Sequence, residues 1–253
     1  MNESVIQETF TLPSHGRIYN CSVNENITLR SMTTEDELRR LSPSTKPYKT
    51  ICDLIDSCMA QSCGISSYDM CMGDYQYLLY RLRTVTYGPE YPNISYCPYC
   101  GNENKSVHNL DEMPVKEWTD SCTTSLEVTL PVSGKTVKLR YLTPRDMDDI
   151  EQQKFEFMKT NPECKLDMTM LFNLKKSIEL IDNMHYDYAK FDYFLKKLPM
   201  RDTNILLQSI TKLNDGIGVN TSFTEKCDNP ACELEYQTSF RITQEFFRPT
   251  IQF

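Results

Sequence analysis

Apolar and polar residues alternate through "SLEVTLPVSGKTVKLRYL", residues 125–142, on both sides of the Ser133–Gly134 step. Period-two alternation about a turn dipeptide predicts a β-hairpin. A looser version stands near the amino end: "TLPSHGR" at 11–17 is followed, across "NCSVNEN", by "LRSMT" at 29–33. After each hairpin the period changes. Thr33 and Thr143 are N-cap candidates with Asp36 and Asp146 three residues on, and Pro144 fits a first helical position. Ile51, Leu54, Ile55, Cys58 and Met59 form one helical stripe, and Leu171, Leu174, Ile178 and Ile181 predict its counterpart. Leu78, Leu79, Leu82 and Val85 mark a third helix, matched by Leu206, Ile210 and Leu213, with Gly88 and Gly216 as terminators. An aromatic segment, "DYAKFDYFLKKLP", is extra in the second half. Each half closes on a strand, a cysteine knuckle and a strand.

Short strings recur in the same order. "TLPSHGR" pairs with "TLPVSGK", "LRSMT" with "LRYLT", "DLID" at 53–56 with "ELID" at 179–182, and "MGDYQYLL" with "MRDTNILL". Cys97 pairs with Cys227. Collinear matches point to an internal duplication. The expected fold class is α+β, with a first repeat over residues 1–122 and a second over 123–253. A split zinc ribbon built from 91–112 and 217–243 is shared between them.

The knuckles carry the candidate chemistry. "CPYC" holds Cys97 and Cys100, and "CDNPAC" holds Cys227 and Cys232. Pairs at spacings of two and four suit a closed, structural zinc site of four cysteines, with Zn2+ as the expected cofactor. A redox CxxC, an iron–sulfur cluster and a metal-free relic are the other readings. The redox reading wants the pair at a helix start, whereas Cys97 follows an extended "YPNISY". His108, after the first knuckle, is a substitute ligand candidate. Cys52 and Cys58 fall on a predicted helix, where a small buried apolar role is usual.

No G-x-S-x-G, H-E-x-x-H or P-loop occurs, so the expectation is a protein without catalytic residues. The acidic runs at 35–37 and 146–149 sit in first helical turns, where they favour the helix dipole. The net charge of −8 argues against nucleic-acid binding, since such surfaces are basic. No run reaches the length of a membrane span, and residues 1–10 lack the pattern of a secretory signal. Eleven cysteines, an odd number, are expected to be free thiols plus a metal site in a reducing compartment. "YDMCMGDYQYLLYRLRTVTYGPEY" is so rich in tyrosine that Tyr75, Tyr77, Tyr80 and Tyr87 are expected to face a partner. Phe246 and Phe247 belong to an apolar carboxyl-terminal stretch, "EFFRPTIQF", expected to dock on the body or on a neighbour.

"LPSHGRIY", "LRSMTTEDE", "GDYQYLLYRLRTVTYGPEY" and "CPYCG" together resemble the T4-type bacteriophage baseplate family of hub subunits and hub assembly chaperones. The likeness is strongest in the first half. It implies a non-enzymatic part in building a contractile-tail baseplate, at the hub or the hub–wedge connection. Other baseplate and hub proteins would be its partners, and the virion tail or the host cytoplasm during assembly its location. Two alternatives stand beside it: a zinc-ribbon nucleic-acid-binding module and a CxxC thiol-redox protein.

Overall fold

The computed structural model describes residues 6–164, 166–185, 188–240 and 244–247. Helices and antiparallel strands are mixed along the chain, which makes the fold α+β. Strands β1 (Gln7–Thr11) and β2 (Asn26–Arg30) pair antiparallel, and helices α1 (Thr34–Arg40), α2 (Pro47–Cys58) and α3 (Met72–Tyr87) follow. A terminal hairpin, β3 (Glu90–Tyr96) and β4 (Glu103–Asn109), ends this part. After β5 (Val115–Lys116), the order is taken up again by β6 (Leu126–Thr129), β7 (Thr136–Leu139), α4 (Pro144–Thr160) and α5 (Thr169–Ser177). Then come β8 (Ile178–Ile181), α6 (Tyr188–Lys197), α7 (Met200–Asn214) and β9 (Gly218–Val219). The last hairpin is β10 (Ser222–Lys226) with β11 (Glu235–Ser239).

Local chemistry starts the helices where the pattern says. Thr33 and Asp36 form a capping box at α1, and Thr143 and Asp146 form one at α4, behind Pro144. Both aspartates are also gripped by an arginine at the end of the preceding strand or one residue past it. Arg30 donates to Asp36 at 2.6 and 3.1 Å, and Arg140 donates to Asp146 at 2.8 and 2.7 Å. The hydrogen bonds from Arg30 hold Asp36 well below the usual carboxylate range. For Asp146, burial raises the pKa, but Arg140 and Thr143 outweigh it and the net shift is downward.

The third helices clamp the hairpin turns. Asp74, in the first turn of α3, accepts from the Ser14 N–H at 3.0 Å, from the Ser14 hydroxyl and from the Tyr19 hydroxyl at 2.6 Å. Asp202, in the first turn of α7, accepts from the Val132 and Ser133 N–H groups at 3.0 and 2.9 Å. At the far ends, Thr86 accepts from Met32 N–H at 3.1 Å and Asn214 from Leu142 N–H at 3.0 Å. Helix α2 has no cap of its own. Its Tyr48 and Lys49 N–H groups donate to Asp148 of α4 at 3.0 and 2.8 Å. Asp148 therefore ties the halves together, a role beyond the dipole effect expected of that acidic run.

One sequence match is out of step. Residues 53–56 lie inside α2, whereas Ile178–Ile181 form β8 on the open edge of β7. Ile178 and Ile181 are thus strand residues, not a continuation of the helix. In the first half the corresponding edge of β2 is met by a single bridge, Leu29 to Met59, just past the end of α2. Met59 and Ile178 are the positional counterparts: each directly follows a helix and pairs with the second strand of its hairpin. Gly88 ends α3 in the left-handed region, φ 86°, as expected. Helix α7 instead ends at Asp215, one residue before Gly216.

Two main cores result. The first gathers Leu12, Ile27, Leu29, Ile55, Tyr75, Leu78 and Leu82, and the second Leu130, Val137, Leu139, Leu174, Leu206 and Ile210. They meet at the start of α3. There Gly73 lies so close to Ile217 and Gly218 that an added Cβ would collide with the Ile217 carbonyl oxygen. Gly218, at φ 108°, is equally required on its side.

A four-sulfur candidate metal centre

Strands β3 and β4 pair in the register Ser95↔Asn104 and Asn93↔Ser106, and β10 and β11 in the register Glu225↔Tyr236 and Phe223↔Thr238. Each hairpin ends in a knuckle whose base is closed by a backbone bond from its first cysteine. In the first, Cys97 N–H reaches Asn102 O at 2.9 Å; in the second, Cys227 N–H reaches Leu234 O at 3.0 Å. The first turns through Gly101 at φ 73°. The second, two residues longer, turns through Glu233 at φ 50°, so the left-handed position is kept without glycine.

The two inner faces pack against each other. Cys97 Sγ lies 3.9 Å from Cys232 Sγ, and Cys100 Sγ 3.5 Å from Cys227 Sγ. All four sulfurs fall within 4.8 Å of one another. A tetrahedron with metal–sulfur bonds of about 2.3 Å has edges of roughly 3.8 Å, so the donor set fits a single thiolate-bound ion such as zinc. The thiols are already biased. The Asn102 N–H donating to Cys100 draws that thiol down to about 7, while burial pushes Cys227 up to about 12. Cys97 and Cys227 are buried with Tyr236 in a small cluster of their own, and Cys100 is exposed.

Behind the sulfurs lies a polar layer that the spacing of the cysteines does not announce. Asn104 donates to Lys226 O at 3.2 Å and to the Tyr236 hydroxyl at 2.8 Å, and accepts from Asp228 N–H at 3.2 Å. Glu225, buried, accepts hydrogen bonds from Ser95, Ser106 and Tyr236. Its burial raises the pKa, and the surrounding donors bring it below the ordinary value, so it sits in the interface as a hydrogen-bonded anion. The signal in the sequence is the parity of the strands: Ser95, Ser106 and Glu225 fall on the same alternating face as residues that must point inward.

His108 does not join the sulfurs. Its Nε2 is 2.8 Å from Ser106 Oγ, and its ring packs on Phe223 and Phe240. Cys52, Cys58 and Cys63 are buried in the first core. Cys97 closes a strand rather than opening a helix, and each knuckle's cysteines face the other knuckle's.

The expected partner-facing aromatics are placed differently. Tyr75 and Tyr80 are buried in the first core, and Tyr77 is buried beneath the Arg81 guanidinium at 5.0 Å. Phe246 and Phe247 are buried as well, docked on the body, which is one of the two outcomes expected of that stretch. Phe246 packs edge-on against Tyr80 at 5.1 Å, and Arg40 lies 5.5 Å over the Phe247 ring. The cause is enclosure: α2, the first hairpin, β9 and the Gln244–Phe247 turn surround α3, so these rings point into protein. Tyr87, at the end of α3, is exposed. The rest of the apolar carboxyl-terminal stretch, 248–253, lies outside the described residues.

Residues 5–248 match the family described as T4 bacteriophage base plate protein. The chain belongs to that family. The match spans nearly the whole chain, both knuckles and both clamped hairpins included, so the baseplate likeness is not confined to the first half. Neither curated proteins nor solved structures gave a match. Among the described residues, no helix of this base plate protein is long and apolar enough to cross a membrane.

Proposed function

We propose that this chain is a non-enzymatic structural or assembly component of a contractile-tail baseplate, at the hub or the hub–wedge connection, and that a zinc ion fixes the angle between two duplicated halves. The repeats are 1–122 and 123–253, with the ribbon of 91–112 and 217–243 shared. The observation that carries the reading is the reciprocal pairing of sulfurs. The first cysteine of each knuckle meets the second cysteine of the other. That exchange is the signature of a twofold interface, in which residue i meets j and j meets i. Ser95 with Glu225, Asn104 with Tyr236, and His108 with Phe240 are like positions meeting across the axis. The paired Arg–Asp grips and the paired aspartate clamps support the same duplication.

Cys97, Cys100, Cys227 and Cys232 would hold the metal, which supplies cross-linking and no reaction. It joins residues separated by more than a hundred positions, so it removes a large loop entropy from the unfolded chain. The stiffened ribbon then presents its outer surfaces to hub or wedge proteins at a set angle. The test is metal analysis of the purified protein together with baseplate assembly in a complementation assay. One zinc per chain, lost in Cys97→Ser along with assembly, supports the clamp. Full assembly by a metal-free chain overturns it.

A further inference from the structure

The inner faces of the two terminal hairpins are matched, but their outer faces are not. On β3 and β4 the outward positions are Glu90, Pro92, Ile94 and Tyr96, facing Glu103, Lys105, Val107 and Asn109 across the pair. Ile94 is 57% exposed, Tyr96 65% and Val107 68%, and Tyr99 on the knuckle, 63% exposed, prolongs the strip to the tip. The corresponding positions of β10 and β11 are Ser222, Thr224 and Lys226 with Glu235, Gln237 and Ser239. There Thr224 and Gln237 satisfy each other across the strands at 2.6 Å. A strand pair in the same setting therefore stands with a polar outer face, and its knuckle adds one exposed large apolar residue, Leu234. Nothing in the fold calls for Ile94, Tyr96 or Val107 to be apolar, and exposed apolar strand faces invite aggregation.

We propose that the outer face of β3–β4 is a docking surface for a different baseplate protein, one that presents an aliphatic or aromatic ridge bordered by a basic side chain. The partner's setting rests on the baseplate reading above, and the comparison of hairpins rests on the duplication. Charge selects the rim. Lys105 is already paired with Glu103 at 3.4 Å, whereas Glu90, at the base of the strip, has no ion-pair partner among the described residues. A second copy of this chain offers the same acidic edge. Area admits such a contact. The exposed apolar strip amounts to roughly 500 Å², comparable to the apolar share of the ~800 Å² that each partner buries in a standard interface. The inner face is taken up by β10–β11, so only the outer one is free to dock.

The experiment uses the full chain in assembling baseplates. A photo-crosslinking residue is placed by Tyr96→p-benzoylphenylalanine and, as the polar counterpart, by Lys226→p-benzoylphenylalanine. The expected result is an adduct to one other baseplate protein from position 96, at least about tenfold stronger than from position 226. In parallel, the double variant Ile94→Asp with Val107→Asp should melt within about 2 °C of the parent. It should sediment as the parent does and lower baseplate yield about tenfold or more. Equal adducts from both positions would overturn the proposal. So would an adduct to a second copy, an adduct to the chain's own residues 248–253, or normal assembly by the double variant. If the double variant unfolds, the crosslinks alone decide. If deleting the whole chain leaves assembly unchanged, the baseplate reading fails; if the chain is required but the face is not, only the docking surface fails.

Discussion

The helix α3 of the first half and α7 of the second begin alike and end up in opposite surroundings. Each places an aspartate in its first turn to hold the preceding hairpin. Around Asp74 the molecule closes: Gly73 is pressed on Ile217 and Gly218, and Tyr19 and Cys71 complete a buried shell. Asp202 is as fully buried as Asp74, but the two residues before it, Met200 and Arg201, are exposed. Burial raises the pKa of Asp74. For Asp202, burial also raises it, but the N–H groups of Val132 and Ser133 outweigh that and the net shift is downward. One geometry thus carries two electrostatic characters. The difference comes from what packs on the helix, not from the helix itself. On the proposed duplication, each copy has kept its internal clamp while the start of α3 became enclosed and the start of α7 stayed at the surface.

The largest expected effect removes the proposed clamp between the two halves. Cys97→Ser, or chelation of the parent, should abolish stoichiometric zinc and lower the melting temperature by on the order of 10 °C, measured by metal analysis and calorimetry. Next is the crowded helix start. Gly73→Ala has only backbone to displace and should cost about 3 kcal/mol in denaturant unfolding, against less than ~0.5 kcal/mol for the counterpart Arg201→Ala. Equal costs would break the contrast between centre and edge.

The clamps themselves should respond according to the donors that meet them. Asp202 is met by two N–H donors, so Asp202→Asn sets an amide against a donor and should lower the melting temperature by about 5 °C. At Asp74, two of the three donors are hydroxyls that can turn and accept, so Asp74→Asn should cost about 2 °C or less. The pH dependence separates them further. The lowered pKa of Asp202 contributes stability above the unfolded value of about 3.9 that is lost as pH falls through the folded one. The deficit of Asp202→Asn should therefore shrink in acid. The raised pKa of Asp74 works the other way. Its ionisation costs stability as pH rises from about 3.9 through the folded value, so Asp74→Asn should gain on the parent over that rise. At the caps, Thr33→Ala and Thr143→Ala should each cost about 1 kcal/mol in denaturant unfolding.

Much of this was readable in the residues, where the cause was local. Thr33 and Thr143 with their aspartates, Pro144, the Ser133–Gly134 turn and Gly88 each act within a few residues, and each does what its chemistry dictates. The four cysteines were legible because few residue types hold a metal at those spacings. What depends on tertiary neighbours was not. "ELID" copies the letters of "DLID", but an open strand edge on β7 made it a strand. Tyr75, Tyr80 and Phe246 are apolar enough for a contact surface and equally for a core, and only the enclosure of α3 decides. Asn104, Glu225 and Asp148 are ordinary polar letters until a second element arrives opposite them.

The polar lining between the two terminal hairpins has a consequence for synthesis. Cys97 and Cys100 leave the ribosome more than a hundred residues ahead of Cys227 and Cys232. Through that wait the first hairpin shows the unfinished side of its interface to the cell. Ser95, Asn104 and Ser106 keep that side wettable, so a half-made chain can pause without sticking to its neighbours. On the proposed clamp, capture of an ion would then mark the moment at which the second hairpin has arrived.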